Sequence, residues 1–137
     1  ITELFEADEM SERAADLPRA DAVIVAVKTY AFADAIAAAA PALAHGPMLV
    51  TAMNGLPWWF LNGLDGLLAG QRLESVDPGG KAAAMLRNVR PIGVVVHVSS
   101  RAEAPGVIRI AGVDRLILGE PDGKTISKPG RTALNED

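Results

Sequence analysis

The sequence contains no cysteine and few aromatic residues, with two Trp, one Tyr and three Phe among 137 positions. The absence of cysteine excludes a disulfide framework, a thiolate zinc site and a cysteine nucleophile. It suits a reducing compartment, so we expect a cytoplasmic protein. Half of the residues are hydrophobic and 22% are charged, a composition that predicts one soluble domain of ordinary size.

An excess of positive charge and a long uninterrupted hydrophobic run are also missing. The 17 acidic residues outnumber the 13 basic ones, and the net charge of −4 argues against a nucleic-acid partner. The apolar stretch from Ala31 to Ala44 is interrupted by Asp34 and Pro41 and falls short of the roughly 20 residues that cross a bilayer. We therefore expect no membrane partner. The acidic start without an initiator Met does not resemble a signal peptide and suggests an excised piece.

Residues 21–52 have the pattern of a βαβ unit. The run AVIVAV at Ala22–Val27 is typical of a strand buried on both faces, and the alanine-rich stretch after it has apolar residues at helical spacing. Pro41 and Gly46 are expected to end this helix, and PMLVTA at Pro47–Ala52 predicts a second strand. A short return after a helix makes the two strands parallel.

Residues 53–80 are rich in glycine and predict a loop with at most one or two helical turns. The loop carries the cluster Trp58, Trp59 and Phe60. We expect these aromatic residues to anchor the loop on the core or on a neighbouring domain, because clustered aromatics bury large areas. A platform for a ligand is the alternative interpretation.

Residues 81–119 predict the later strands and an edge hairpin. A short helix is expected over Lys81–Arg87, followed by a strand over Ile92–Val98 in which His97 is a packed or hydrogen-bonded structural residue. Two alternating strands, Pro105–Ile110 and Arg115–Gly119, are predicted to form an antiparallel hairpin around the turn at residues 111–114. Residues 120–137 have the composition of a polar connector.

Several familiar chemical motifs are absent from the sequence. There is neither a GxGxxG turn nor a GxxxxGK[ST] loop. The segment Asp77–Lys81 resembles a phosphate loop only superficially, and we expect it to be a structural turn. His45 and His97 have no carboxylates at ligand spacing, so we predict no metal site.

Two polar residues follow the first two predicted strands. Lys28 comes directly after AVIVAV, and Asn54 follows MLVTA. Parallel α/β sheets bind their ligands at the carboxyl ends of the strands, so this pair is a candidate site for an anionic substrate beside a cofactor. A solvated lysine and an ordinary Asn-Gly turn explain the same spacing equally well.

These segments together resemble the ketopantoate reductase family, also called 2-dehydropantoate 2-reductases. The resemblance extends over roughly residues 21–123 and depends on four segments in the family's order: DAVIVAVKTY at 21–30, TAMNGLPWW at 51–59, LESVDPGG at 73–80, and APGVI at 104–108 followed by LGEPDG at 118–123. The order of these segments is more specific than any one of them.

The resemblance implies an α/β, Rossmann-like three-layer fold with parallel strands and an antiparallel edge hairpin. It implies NADP as cofactor and a small-molecule 2-keto acid as substrate, reduced from 2-dehydropantoate to pantoate in pantothenate biosynthesis. Lys28, Asn54 and Ser99 are the implied cofactor-binding residues, and Asn54 is also implied to bind substrate.

The sequence departs from the family pattern at both ends. The first βαβ half with its GxGxxG turn has no counterpart, and neither does the helical domain that supplies the family's catalytic lysine, so no residue of this chain is assigned a catalytic role. We therefore expect residues 1–137 to form a single partial NADP-binding domain, a fragment of an oxidoreductase that is inactive alone. The alternative is a non-catalytic binding or self-assembly module of the same fold. In both cases an exposed sheet edge makes a homo-oligomer the expected state.

Overall fold

The computed structural model describes residues 7–62 and 65–121. Its centre is a four-stranded sheet. Strands β1 (Ala22–Val25), β2 (Met48–Ala52), β3 (Pro91–Ala104) and β4 (Val107–Gly119) lie side by side in chain order. β1 and β2 are parallel, as are β2 and β3, whereas β4 runs antiparallel to β3. The mostly parallel sheet with its helices confirms a Rossmann-like α/β fold with an antiparallel edge. The three-layer arrangement and the lack of a first βαβ half remain predictions.

The βαβ unit predicted over residues 21–52 is confirmed. Helix α1 (Phe32–Leu43) connects β1 to β2, and the parallel register places Ala22 opposite Met48. Pro41 was expected to end the helix, but α1 continues for two residues beyond it to Leu43. Pro41 lies in the last turn of α1, so its missing N–H removes one helical hydrogen bond, that to the carbonyl of Ala37, and only two residues of helix follow its ring.

The core lies on the face of the sheet that α1 covers. Val25 and Leu49 are buried against Phe32 and Ile36, and helix α2 (Lys81–Met85) with the residue after it adds Ala82 and Leu86. Such burial of aliphatic and aromatic surface is the main stabilising contribution available to this domain. Ile24 points to the opposite face and keeps 67% of its surface exposed.

The aromatic loop is anchored on this core. Trp58 stacks on Phe32 with ring centroids 5.0 Å apart and an interplanar angle of 21°, and Trp59 meets Trp58 edge to face at 6.3 Å. Offset stacking and edge-to-face contacts are the favourable geometries for aromatic pairs. The expected anchoring on the core is therefore confirmed for Trp58.

The segment Asp77–Lys81 is a structural turn, as expected. Asp77 is 1% exposed, and its carboxylate accepts hydrogen bonds from the backbone N–H groups of Ala82 and Ala83 at 2.9 and 3.0 Å. Gly79 and Gly80 have φ of 70° and 68°, which favour glycine. Asp77 thus caps α2 and is occupied by the helix that follows it.

The hairpin prediction was wrong in its boundaries. β3 continues to Ala104 and β4 begins at Val107, so the chain reverses at Pro105 and Gly106, where Gly106 has φ of 75°. Residues 111–114 lie inside β4, where the register shifts by one residue twice. A bulge admits an extra residue without reversing the strand, which explains why a turn-like composition occurs within it.

The far half of this hairpin forms a two-stranded ribbon, residues 97–112, beyond the end of β2. The last paired residue of β2, Ala52, lies opposite Val94, so residues 97–112 pair only between β3 and β4. Of the two alternatives predicted for His97, packed or hydrogen-bonded, packing was wrong: the residue is exposed because it lies past the covered part of the sheet. The carboxylate of Glu103 joins the ribbon's two strands by accepting hydrogen bonds from Arg101 and Arg109.

Candidate functional site

A cavity of about 440 Å³ opens beside the carboxyl ends of β1 and β2. Its walls come from the turn after β1, the loop after β2, and the facing parts of β3 and β4. The lining residues include Thr29, Asn54, Trp58, Trp59, Gly93 and Glu120. Open parallel sheets bind ligands at this edge, so the location agrees with the site expected for the fold.

Asn54 is held in this wall by its own side chain. Its Nδ2 donates to the carbonyl oxygen of Val96 at 3.0 Å, and its Oδ1 accepts from the N–H of Val96 at 2.9 Å. The amide therefore takes the place of a peptide group beside β3, just after the last regular pair of β2 and β3. A primary amide has two N–H donors and two carbonyl lone pairs. As far as the described part of the chain goes, one donor and one lone pair of Asn54 thus remain for a ligand.

Thr29 fixes the backbone of the same residue. Its hydroxyl donates to the carbonyl oxygen of Asn54 at 3.2 Å. Gly55, which follows Asn54, has φ of 110°, and a Cβ there would lie 3.0 Å from the Thr29 hydroxyl oxygen. The turn after β1 and the turn after β2 are therefore in direct contact at a position where only glycine fits without strain.

Another part of the cavity wall is aromatic. The Trp59 ring lies over Gly93, where an added Cβ would meet Cζ2 and Cη2 at 3.0 and 3.1 Å. The indole Nε1 of Trp59 is buried and has no hydrogen-bond partner within residues 7–62 and 65–121. The alternative prediction of a ligand platform thus also has a structural basis, because both tryptophans line the cavity.

The structure brings only one of the three predicted site residues into the cavity wall. Asn54 lines it, while Lys28 is exposed and stands immediately before the lining residue Thr29. Ser99 is exposed on β3 opposite Gly112, in the ribbon and outside the cavity lining.

Sequence reasoning missed Thr29, Gly93 and Glu120 as wall residues. Glu120 lines the cavity and accepts from Arg90 at 3.1 and 3.2 Å. The available signal for Thr29 was its position directly after the candidate residue Lys28, at the end of the first predicted strand. The contacts of Gly93 and Glu120 join distant parts of the chain, and local spacing does not report them.

Two carboxylates with altered proton affinity lie outside the cavity. The pKa of Glu74 is lowered because it accepts a hydrogen bond from the backbone N–H of Gly79 and a second from Arg72. The pKa of Glu103 is lowered by its hydrogen bonds with Arg109 and then Arg101. The turn that contains Gly79 accounts for the lowered pKa of Glu74, and the ribbon accounts for that of Glu103.

Neither a membrane helix nor a metal cluster is found in the described residues. No helix between residues 7 and 121, leaving aside residues 63 and 64, is long and apolar enough to cross a bilayer. The same part of the chain has no group of three or more His, Asp and Glu side chains that could hold a metal ion.

Comparison with known proteins identifies relatives over most of the chain. The family described as ketopantoate reductase PanE/ApbA matches residues 2–58. A 2-dehydropantoate 2-reductase from Mesorhizobium japonicum is 39% identical over 112 residues, which are 82% of this chain and 34% of that protein.

A solved structure agrees with this relationship. The crystal structure of a protein from Ralstonia solanacearum MolK2, assigned as a ketopantoate reductase, superposes with a TM-score of 0.70 and 45% sequence identity. The match covers 81% of this chain and 34% of that one. The chain thus spans about a third of the length of these relatives.

Proposed function

Because this chain is related in sequence and fold to the ketopantoate reductase family, we propose that it forms one wall of a cleft for NADP and a 2-keto acid. The observation that carries the proposal is the position of Asn54 in the cavity at the carboxyl ends of the parallel strands. The full proposed reaction is the reduction of 2-dehydropantoate to pantoate, a step of pantothenate biosynthesis in the cytoplasm.

The cavity residues suit the nicotinamide end of such a cofactor. The apolar wall of Trp58 and Trp59 provides flat surface for a ring, and the free donor and lone pair of Asn54 match a carboxamide or a keto-acid oxygen. Lys28, exposed beside this wall, provides a point charge for a phosphate or carboxylate. When bound, a reduced nicotinamide supplies a hydride. Asn54 orients the acceptor, and the aromatic wall excludes water from it.

We assign Lys28, Asn54 and Ser99 to cofactor binding and Asn54 to substrate binding, with no catalytic residue in this sequence. Ser99 lies on the ribbon, outside the cavity lining. No wall residue is assigned as proton donor for the reduced carbonyl, since the carboxylate of Glu120 accepts hydrogen bonds from Arg90. We therefore propose that the 137-residue chain binds the nicotinamide end without turning over the keto acid.

The test is a titration followed by nicotinamide fluorescence, with protein whose intact mass has been checked against 14.3 kDa. Reduced nicotinamide mononucleotide is the informative probe beside NADPH, because it requires only the proposed nicotinamide half of the site. We expect saturable binding of both, and a loss of affinity of about tenfold or more in Asn54→Ala. His45→Ala, at an exposed position outside the cavity lining, is the matched control and should bind as the unaltered chain does.

Absence of saturable binding at millimolar probe would overturn the proposed cleft. Equal affinity of Asn54→Ala and the unaltered chain would remove Asn54 from it. A second assay follows the oxidation of NADPH by 2-dehydropantoate at 340 nm and tests the proposed inactivity of the isolated chain. Turnover by the isolated chain would contradict the proposed inactivity and leave the binding site intact.

A self-assembly module is the second candidate, and the exposed edge of the sheet favours it. Within the described residues β1 pairs only with β2, so its other edge carries unpaired backbone groups. Ile24 on this strand is largely exposed. Such an edge can pair with a second copy of the chain, which would make a homo-oligomer.

A further inference from the structure

We infer that Thr29 is a positioning residue, whose hydroxyl holds Asn54 in the orientation that the proposed cofactor and substrate contacts require. The inference rests on the proposed function and adds to it a residue that acts through Asn54 rather than through a ligand contact of its own. The Thr29 hydroxyl donates to the backbone carbonyl of Asn54, while the Asn54 side chain is bound on its other side to Val96.

Three hydrogen bonds therefore restrain one residue from two directions. Val96 fixes the plane of the Asn54 amide through both of its polar atoms, and Thr29 fixes the peptide unit to which that residue belongs. The remaining N–H and the remaining lone pair of the amide then each point in one fixed direction. A ligand gains affinity from such a preorganised group because little conformational freedom is lost when it binds.

Gly55 packs directly against the contact between Thr29 and Asn54. A side chain at that position would approach the Thr29 hydroxyl oxygen to 3.0 Å, so the glycine leaves the space that the hydroxyl occupies. Thr29 also directly follows Lys28. Its bond to Asn54 consequently ties the two proposed cofactor-binding residues to each other, although they lie on separate turns.

The test compares Thr29→Val, which keeps the shape and removes the donor, with Thr29→Ser, which keeps the donor. Nuclear magnetic resonance reports the side-chain NH₂ group of Asn54 and the hydrogen exchange of the Val96 amide. We expect both signals to change in Thr29→Val, with exchange faster by about two- to tenfold, and to remain in Thr29→Ser. Affinity for reduced nicotinamide mononucleotide should fall by a similar factor in Thr29→Val alone.

The midpoint of thermal unfolding, measured for each variant, separates positioning from general stability. Unchanged Asn54 and Val96 signals in Thr29→Val would overturn the inference, and so would equal losses in the Val and Ser variants. If the unaltered chain binds neither NADPH nor the mononucleotide, the proposed function fails. The resonance data then still decide by themselves whether Thr29 orients Asn54.

Discussion

At the scale of single residues, the cavity depends on positions where a side chain is absent. Gly93 lies under the Trp59 ring, and the indole occupies the place that a Cβ would take. We expect Gly93→Ala to lower the free energy of unfolding by about 1 kcal/mol, because the added methyl group displaces a packed ring. Urea denaturation measures the loss, and a shift of tryptophan emission reports the displaced indole.

Gly112 is the matched control for this substitution, since it lies in the neighbouring strand and a Cβ there would meet nothing within 4 Å. Gly112→Ala should leave tryptophan emission unchanged and stability unchanged or slightly raised. If the two alanine variants were equally stable and had the same emission, the Trp59 ring would not be packed on Gly93 in solution.

Residue-scale reasoning from the sequence located Asn54 but not its bonding. The run of apolar residues before it and the glycine after it indicate a strand end, which is local information. Its partner Val96 is 42 residues away, and a contact of that separation depends on the register of β2 and β3. The bond from Thr29 to Asn54 likewise joins residues 25 positions apart, so local spacing does not report it.

At the scale of elements, the βαβ unit was predictable and the hairpin was not. Periodicity identifies a buried strand and a helix because each buries its apolar positions at its own spacing. The strands of the ribbon are exposed on both sides, so no burial pattern distinguishes their ends. The turn composition of residues 111–114 then gave the wrong reversal point, and the Pro105-Gly106 pair proved to be the turn.

The ribbon is also an element whose stability should depend on pH. Its two strands are joined by Glu103, whose pKa is lowered by Arg109 and Arg101. A carboxyl with a lowered folded-state pKa contributes stability above its ordinary titration range, and this contribution is lost as the pH falls through the folded-state pKa. We expect amide protection of residues 98–110 to be full near neutral pH and to decrease in acid.

Hydrogen exchange at several pH values measures this effect, after correction for the intrinsic exchange rate. Glu103→Gln should have lower protection of the ribbon near neutral pH and little further change in acid. Glu9→Gln removes an acidic residue from an exposed position elsewhere and should retain the acid-dependent loss. An identical pH dependence in Glu103→Gln and the unaltered chain would show that another group controls the ribbon.

At the scale of the whole molecule, the open edge of β1 determines whether the chain is found alone. In the sheet formed by residues 7–62 and 65–121, β1 is the first strand and has one unpaired edge, and its exposed Ile24 adds apolar surface there. We expect the unaltered chain to self-associate as its concentration rises, because edge pairing satisfies these groups. A lysine at position 24 would oppose the pairing through its charge and hydration, so Ile24→Lys should remain a monomer of about 14.3 kDa.

Light scattering coupled to size-exclusion chromatography measures the mass of each species. Leu67→Lys makes the same charge change at a loop residue that is 96% exposed, and it should associate as the unaltered chain does. A constant mass of 14.3 kDa for the unaltered chain would contradict edge pairing. Because Ile24 lies outside the cavity lining, an Ile24→Lys monomer that still binds reduced nicotinamide mononucleotide would make assembly and cleft formation separate properties of this sheet.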